Sequence, residues 1–333
     1  MSDRPESAGP ARDVGSMTIS EIRLLVAGAH PEPGDLLWSA LEADDRKGVR
    51  DVLERRRRRL AAAERERERT ADMRRFEAEL WEEGHEIVAG VDEAGRGPLA
   101  GPVVAAAVVL PRNLGIEGID DSKKLSPRKR EKLHGLILRD AFDVGVGCVP
   151  QAVIDEKNIL RATFQAMREA LAELAHRPDH VLVDGDPIRD LDLAQTGVPR
   201  GDERSAAIAA ASIVAKVTRD RMMVEFDAKY PGYGFAVHKG YGTPEHIAAL
   251  RRLGPCEIHR RSFRTVHEAG GGSHRYAGFR SELLSAENEA ALESAATRIA
   301  ESRGELDAYE LARLRSLYKR CYVRLAAHLT GTP

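Results

Sequence analysis

Short apolar runs alternate with helical patterns between residues 85 and 265, and this alternation constrains the fold more than any other feature of the chain. Apolar, β-rich runs occupy 86–92, 103–110, 141–149 and 180–184. Helical patterns occupy 127–138, 151–175, 204–229 and 244–253. Short strands that alternate with helices are typical of an α/β domain. We therefore predict an α/β domain over this region.

The segments on either side of this region carry different patterns. Residues 1–17 are rich in Ser, Gly, Pro and charge, and we expect them to be disordered. Residues 18–44 suggest two small helices broken at Pro31–Gly34, and 46–82 read as one long charged helix. Gly270–Ser273 is predicted to be a flexible linker. Residues 279–330 are predicted to form two helical stretches broken near Ser302–Gly304.

Composition indicates a globular protein without an overall basic charge. The formal net charge is -2, so any surface that binds a polyanion must come from local clustering. One such cluster runs from Glu54 to Arg69 and contains eight Arg and four Glu. It is either a solvated helix with ion pairs four residues apart or a nucleic-acid contact, and the two interpretations are equally supported.

The cysteines and the apolar segments bear on location. Cys148, Cys256 and Cys321 lie far apart and form no CxxC pair, which favours a reducing compartment over a disulfide framework or a zinc site. The sequence has no apolar run of about 18 residues and no signal-peptide pattern. We therefore expect a cytoplasmic protein with no membrane partner.

Two adjacent carboxylates end the first apolar run. Asp92 and Glu93 follow the strand, and a glycine-rich turn then leads to a second run, Val103 to Leu110, that could pair with the first as a hairpin. Adjacent strand residues point to opposite faces, so both acids cannot reach one site from a regular strand. Either the strand ends at Asp92 or a bulge re-aims Glu93. A solvated turn without function is the alternative.

Further acids follow other predicted elements. Asp184 and Asp186 come at the C-terminal end of the strand at 180–184, where α/β sheets usually place ligands, and periodicity alone cannot choose between them. Asp202 precedes a helix of small residues and could equally be its N-cap. Acids at strand ends and a helix start could hold two Mg²⁺ ions, which prefer oxygen ligands.

Five blocks of the sequence resemble ribonuclease HII. They run from Asp92 through Gly95-Arg96-Gly97 to Val103, from Asp121 to Ser126, from Ala210 to Asp220, from His238 to Thr243, and from His259 to Phe263. The blocks stand in the family's order across about residues 85–265. A single short motif would be weak, but five in order are specific to the family.

The resemblance implies a ribonuclease H-like mixed sheet flanked by helices, with its catalytic domain at 85–266 and helical extensions at both ends. It implies an active site of four carboxylates, Asp92, Glu93, Asp184 and Asp202, that binds Mg²⁺ or Mn²⁺. It favours Asp184 over Asp186, which the spacing could not do. The segment 18–82 resembles, more loosely, the substrate-binding extension on ribonucleases HII of the Bacillus kind. The tail, 267–333, matches nothing in the family.

Several residues are candidate substrate contacts. The Gly95-Arg96-Gly97 backbone can approach a ribose 2′-OH closely, and in the family this turn is similarly used; a simple tight turn is the alternative. Tyr241 lies in a glycine-flanked loop, where its ring could stack on a sugar or base or else pack ordinarily. Lys123, Lys124, Lys216 and Arg219 are candidate phosphate contacts. For Lys216 and Arg219, a solvated helix face is nearly as well supported.

The resemblance therefore implies an endonuclease that cuts 5′ to a ribonucleotide, in RNA–DNA hybrids and in DNA with embedded ribonucleotides, and leaves 3′-OH and 5′-phosphate ends. Its expected role is ribonucleotide removal from DNA. The tail could contact other repair or replication proteins. Two alternatives stand beside this: a DNA-only nuclease on the same fold, and a non-catalytic protein that binds hybrids. A non-catalytic binding protein would be expected to lack one of the four active-site carboxylates, and all four are present.

Overall fold

The computed structural model describes residues 14–113, 118–269, 274–306 and 308–330. The chain forms two compact units, Met1–Ala71 and Asp72–Pro333.

The first unit consists of three helices around a small core. They are α1 (Ile19–Ala29), α2 (Leu36–Glu42) and α3 (Lys47–Met73), the last of which ends two residues inside the second unit. Thr18 caps α1 through a capping box with Glu21. The break between α1 and α2 contains Gly34 at φ +98°, and it falls where the sequence predicts it.

Residues 14–17 are structured, although disorder is expected there. Val14–Ser16 form a 3₁₀ turn, and the Val14 side chain is buried. The Arg46 guanidinium donates to the main-chain oxygens of Val14 and Met17 at 2.9 and 2.6 Å and holds this turn against α3. The expected disorder over 1–17 therefore does not extend to 14–17, and residues 1–13 lie outside the described part of the chain.

The second unit carries a sheet and the remaining helices. Its elements are α4 (Arg75–Glu82), β1 (Val88–Ala94), β2 (Val103–Val109), α5 (Pro127–Asp140), β3 (Asp143–Val149), α6 (Gln151–Lys157), α7 (Ile159–Ala172), β4 (His180–Asp184), β5 (Ala194–Val198), α8 (Ala206–Lys229), α9 (Phe235–His238), α10 (Pro244–Leu253), α11 (Arg264–Ala269), α12 (His274–Ser285), α13 (Glu289–Glu301) and α14 (Ala308–Thr330).

The helix predicted over 46–82 is interrupted at Arg74, where the backbone leaves helical geometry at φ −96° and ψ 3°. The helix that follows, α4, belongs to the second unit. Its Glu77 carboxylate is buried and accepts hydrogen bonds from the Ser205 hydroxyl at 2.6 Å and from the Ala207 N–H at 2.8 Å. The first compact unit ends at Ala71, so the extension predicted over 18–82 includes α4 of the second unit.

The sheet is mixed and has the strand order β3-β2-β1-β4-β5. β1 pairs antiparallel with β2, which confirms the predicted hairpin, and parallel with β4. The fold class predicted from the sequence is confirmed. The edge strand β5 was not predicted, because its residues Ala194–Val198 are short, polar in part and alternately exposed.

Small residues let helices approach both faces of the sheet closely. On one face, a Cβ atom at Gly90 of β1 would lie 2.2 Å from the main-chain carbon of Ala207 in α8. On the other face, a Cβ atom at Gly147 of β3 would lie 2.0 Å from the Ala166 carbonyl oxygen of α7. Both glycines are required by this packing, since any side chain would collide with a helix backbone. The predicted small-residue helix, α8, thus lies directly over the strand that carries Asp92.

The helical segment predicted over 151–175 is divided at Asn158, which has φ +80° and separates α6 from α7. Its side chain accepts from the Arg161 N–H at 3.1 Å and so begins the second helix.

The tail forms its own apolar cluster within the second unit. Phe279, Leu283, Leu292, Ile299 and Leu314 are buried against one another. The predicted break near 302–304 is present, and a second one precedes Asn288, which caps α13 through the Ala291 N–H. The predicted linker, Gly270–Ser273, lies outside the described residues. Within the described ranges, every helix is too short or too polar to cross a membrane.

Candidate active site

Asp92 lies on β1, on the face of the sheet that α8 covers. β1 pairs one to one with β2 from Ala89 to Ala94, so the regular pleat continues through Asp92 and Glu93. Neither alternative from the sequence, a strand end at Asp92 or a bulge at Glu93, agrees with this pairing. Asp92 is buried, and its carboxylate accepts from the Glu93 N–H at 2.6 Å and from the Ser212 hydroxyl on α8.

Asp184 and Asp202 reach the same place from neighbouring elements. Asp184 ends β4, and its Oδ1 accepts from the N–H of Gly201 at 2.6 Å. Gly201 begins the short 3₁₀ turn, Gly201–Glu203, that carries Asp202. The N-cap of α8 is Ser205 and not Asp202, which removes the capping interpretation for that carboxylate.

Asp92, Asp184 and Asp202 form one cluster, which we call the aspartate cluster. Each offers a carboxylate oxygen within 4.8 Å of the others. Asp186 is exposed and lies outside the cluster, so the geometry favours Asp184 at this strand end. Glu93 also lies outside it. Its carboxyl nevertheless interacts with Asp92 and Asp184, and its Oε1 pairs with Nη1 of Arg96 at 3.1 Å.

Burial and mutual repulsion raise the pKa values of these acids. Burial raises the pKa of Asp92 well above its usual range, and the charges of Glu93 and Asp184 add to this. Burial and the Asp202 charge raise the pKa of Asp184. Burial also raises the pKa of Glu93, while the Arg96 charge opposes it. Carboxylates this close ionise together only when a cation compensates them, and hard divalent cations prefer such oxygen donors.

Three lysines were candidate phosphate contacts, and one of them reaches the aspartate cluster. Nζ of Lys123 lies 3.0 Å from Oδ2 of Asp202, and this carboxylate raises the lysine pKa although partial burial lowers it. Lys124 pairs instead with Glu203 at 2.9 Å. Lys216 pairs with Asp220 at 2.7 Å, and its Nζ lies 5.7 Å from the ring centre of Tyr241.

The Gly95-Arg96-Gly97 turn follows β1 and is held by a buried arginine. Gly95 has φ +97°, and a Cβ atom there would lie 2.1 Å from Nε of Arg219. Arg219 is fully buried and donates to the carbonyl oxygens of Ala100, Pro102 and Lys239. The suggestion that Arg219 contacts phosphate is therefore wrong, because the protein backbone occupies its guanidinium.

A second buried arginine, Arg260, supports the same turn and was given no role from the sequence. Its guanidinium is fully buried. It donates to five main-chain oxygens, those of Gly95, Arg96, Pro98, Gly101 and Pro102. The two arginines thus fix the backbone between Gly95 and Pro102, and both donate to the Pro102 carbonyl.

Tyr241 lies beside this turn. Its side chain is 42% exposed, and a Cβ atom at Gly97 would lie 3.9 Å from its Cε1 atom. The main chain of Tyr241 is held at both ends, because its N–H donates to the His238 carbonyl at 2.9 Å and its own carbonyl lies 2.9 Å from Nδ1 of His246. The glycine turn and an exposed ring therefore share one surface.

Two buried histidines connect Tyr241 to the interior. The Cys256 N–H donates to Nδ1 of His259 at 3.0 Å, so His259 carries its proton on Nε2. The His259 Nε2 lies 3.1 Å from Nε2 of His246, so the His246 Nε2 must accept this proton. His246 therefore carries its own proton on Nδ1 and donates it to the Tyr241 carbonyl. We call this directional series the histidine chain. Sequence analysis missed it because the two histidines are 13 residues apart and meet only in the fold.

A family model described as ribonuclease HII matches residues 89–266, and one described as the ribonuclease HII N-terminal domain matches 18–81. Residues after 266 lie beyond both matches. The second match ends at residue 81, ten residues past the end of the first compact unit.

Curated relatives are similar along most of their length. Ribonuclease HII of Geobacillus thermodenitrificans is 51% identical over 254 residues, which cover 76% of this chain and 97% of the relative. Ribonuclease HII of Geobacter metallireducens is 58% identical over 193 residues, 58% of this chain and 91% of the relative. Among solved structures, ribonuclease H2 of Pyrococcus horikoshii OT3 is 30% identical, with 56% of this chain and 98% of that chain covered and a TM-score of 0.48.

Proposed function

The chain belongs to the ribonuclease HII family, and on that premise we propose that it hydrolyses the phosphodiester bond 5′ to a ribonucleotide, with Mg²⁺ or Mn²⁺ bound by its carboxylates. The substrates are RNA–DNA hybrids and DNA that contains embedded ribonucleotides, and the products carry 3′-OH and 5′-phosphate ends. The biological role we propose is removal of ribonucleotides from DNA. The aspartate cluster is the observation that carries this proposal, because it gathers the donor atoms the chemistry needs.

The aspartate cluster fits hard divalent cations. Asp92 and Asp184 are held with raised pKa values next to Asp202, so a bound cation relieves a repulsion already present in the protein. Asp92, Asp184 and Asp202 would hold the metal, and Glu93, which feels the Asp184 charge, would complete the donor set. When bound, two such ions supply an activated water and charge stabilisation for the leaving oxygen.

The protein's own residues orient this site. The Gly201 N–H fixes Asp184, and the Glu93 N–H together with the Ser212 hydroxyl fixes Asp92, so neither carboxylate has to reorganise before binding. Lys123 has 75% of its side chain exposed and lies 3.0 Å from Asp202. It is therefore placed to contact a phosphate of the bound strand.

Recognition of the ribonucleotide is assigned to the turn and to Tyr241. The Gly95-Arg96-Gly97 backbone is rigidly held and has no side chain at the exposed Gly97, so its peptide groups can reach a 2′-OH. The exposed ring of Tyr241 lies next to Gly97 and can pack on the sugar that follows. A ring in van der Waals contact with that sugar favours deoxyribose over ribose.

The first unit is proposed to bind substrate through some of the arginines in the run from Glu54 to Arg69. Three neighbouring arginines are already bound within the unit. Arg56 donates to the carbonyls of His30 and Pro31, Arg57 pairs with Glu42, and Arg58 pairs with Glu54. Arg55 and Arg59 have no ion-pair partner within the described residues, and with Arg23 they line a cavity of about 240 Å³.

The experiment is cleavage of a DNA duplex that carries one ribonucleotide, first with Mg²⁺ and then with Mn²⁺. We expect a cut 5′ to the ribonucleotide and no cut in the matched all-DNA duplex. Comparable cleavage of both duplexes would indicate a DNA-only nuclease. Tight binding of the ribonucleotide duplex or a hybrid without cleavage by either metal would indicate a binding protein instead.

A further inference from the structure

We propose that the tail completes a second nucleic-acid-binding site, a groove between α11 and the tail helices α12 and α14 that takes the phosphate backbone flanking the cleaved position. The groove has a cavity volume of about 380 Å³. Its walls include three arginines, two tyrosines and a histidine, which are Arg264, Arg280, Arg313, Tyr276, Tyr309 and His267. The proposal takes the nature of the bound strand from the proposed function.

The positive charges of this groove come from three different helices. Arg264 begins α11, Arg280 lies on α12 and Arg313 on α14. Glu268 is the one carboxylate among the lining residues that the structure describes, and its Oε1 lies 3.8 Å from Nε of Arg264. In the described ranges, no carboxylate lies within 4.0 Å of the Arg280 or Arg313 guanidinium nitrogens. Like charges that converge from separate helices repel, and a bound polyanion removes that cost.

The floor of the groove is aromatic. The His267 ring contacts Tyr276 and Tyr309, with ring centres 4.6 and 4.9 Å apart respectively. His267 is largely buried, and the nearest acid to its Nε2 is the buried Glu310, whose Oε1 is 4.0 Å away. The Arg313 guanidinium lies 6.0 Å from the Tyr309 ring centre. Arginines that contact phosphates beside rings that can accept a sugar or base form the usual chemistry of backbone binding.

The position of α11 connects this groove to the active site. Arg260 donates to the carbonyls of Gly95 and Arg96, and Arg264 stands four residues further along the chain. Four residues span at most about 14 Å, which corresponds to about four base pairs of duplex at 3.4 Å each. The groove therefore begins close enough to the turn that one duplex could contact both, which is the arrangement we propose.

The test measures binding of the full-length protein to an all-DNA duplex without divalent metal, so that no cleavage intervenes. The variant is Arg280→Ala with Arg313→Ala. The matched control is Arg315→Ala with Arg320→Ala, two exposed arginines of α14 outside this groove. We expect the Kd of the first variant to rise about tenfold or more at about 0.1 M salt, and its salt slope to fall by up to about 2, since each phosphate contact contributes about 0.9. The control should bind as the wild type does.

A double lysine variant shows whether a loss of binding comes from the lost charges or from disturbed folding. Arg280→Lys with Arg313→Lys keeps both cations, so it should retain most of the salt slope while the alanine variant loses it. Unchanged affinity and slope in the alanine variant would overturn the proposal, as would an equal loss in the control variant or in the lysine variant.

Cleavage of the single-ribonucleotide duplex is measured separately with the same proteins. A wild-type protein that binds DNA through the groove but fails to cleave contradicts only the proposed function. A wild-type protein that cleaves, together with an alanine variant that binds DNA normally, contradicts only the groove.

Discussion

The Nε2 atoms of His246 and His259 lie 3.1 Å apart in the protein interior, and only one of them can carry the shared proton. The Cys256 N–H fixes His259 as the donor, and the Tyr241 carbonyl fixes the other end of the histidine chain. Both rings are therefore neutral, each in a single tautomer. The exposed ring beside the glycine turn is thus positioned through buried groups that never touch a substrate.

Replacement of His246 by Phe should disturb the position of the Tyr241 ring while leaving the tyrosine itself in place. The Tyr241 carbonyl would lose its donor, a loss of about 1 kcal/mol, so we expect kcat/KM on a single-ribonucleotide duplex to fall about fivefold to tenfold. His246→Gln keeps an N–H donor and should lose less. The control is His176→Asn, because His176 is exposed and lies outside the histidine chain and the proposed binding surfaces. Wild-type kcat/KM in His246→Phe would show that the histidine chain does not position Tyr241.

The free energy of unfolding should fall in acid because of the buried pair His246 and His259. Burial and the neighbouring His246 lower the pKa of His259 from 6.5 to about 4. Between those pH values the unfolded chain binds the proton and the folded protein does not, so the free energy of unfolding decreases as the pH falls. The full effect is about 3 kcal/mol, complete near pH 4 and absent above about pH 7. Denaturant unfolding at several pH values measures it.

His259→Gln serves as the comparison for this pH dependence. It should be less stable than the wild type at neutral pH, and its stability should change less between pH 7 and pH 4. The same slope in both proteins would assign the acid sensitivity to other groups.

Asp184→Asn and Asp186→Asn form a matched pair two residues apart. Asp184 belongs to the aspartate cluster and Asp186 is exposed, so the first variant should abolish cleavage and the second should retain it. Because Asp184→Asn removes one of several repelling charges, its metal-free form should melt at or above the wild-type Tm. Mg²⁺ should raise the Tm of the wild type more than that of Asp184→Asn. Normal turnover by Asp184→Asn would remove this residue from the active site.

Tyr241→Ala should lose most activity on a single ribonucleotide followed by DNA, and less on a continuous RNA strand. In the proposed complex the ring crowds and desolvates a 2′-OH on the following sugar, which costs roughly 1–3 kcal/mol, or about fivefold to 150-fold in rate. The measurement is kcat/KM for both substrates in both proteins. Equal losses would mean that Tyr241 positions any strand and does not read the junction.

Arg55→Ala with Arg59→Ala should weaken substrate binding more than it slows cleavage at saturation. The salt slope of binding should fall as well, because phosphate contacts are lost. Arg58→Ala with Arg67→Ala is the control, since both residues pair with glutamates on the same helix.

Deletion of residues 1–71 should resemble the Arg55→Ala with Arg59→Ala variant. Deletion through residue 80 removes Glu77 and should destabilise the second unit as well. Unchanged affinity after deletion of 1–71 would exclude a binding role for this unit.

The sheet was predictable from the sequence, apart from its last strand. The buried strands β1 and β2 are continuous apolar runs, whereas β5 is a short edge strand in which polar residues alternate with small ones. Its place in the sheet depends on pairing with β4, which local sequence does not encode. The break at Arg74 was missed for a similar reason, because that residue is held by carbonyls of Pro111 and Arg112 far along the chain.

The candidate site was predictable in part. Asp92 and Asp202 stand out as acids next to apolar elements, but the spacing of Asp184 and Asp186 left their choice to the resemblance. The geometry now places Asp184 in the cluster independently. Arg260 and the histidine chain could not be inferred from the sequence alone, since their partners are main-chain oxygens or residues distant in sequence.

The hold of Arg219 and Arg260 on the glycine turn runs entirely through peptide oxygens. The exposed side chain of Arg96 takes no part in it and pairs instead with Glu93, so a substitution at this position leaves both arginine supports in place. Gly95 and Gly101 lack this freedom, because Arg219 and Met223 lie where their side chains would be. A substitution at Arg96 can therefore change what the loop presents to a bound strand without rebuilding the scaffold that holds its backbone.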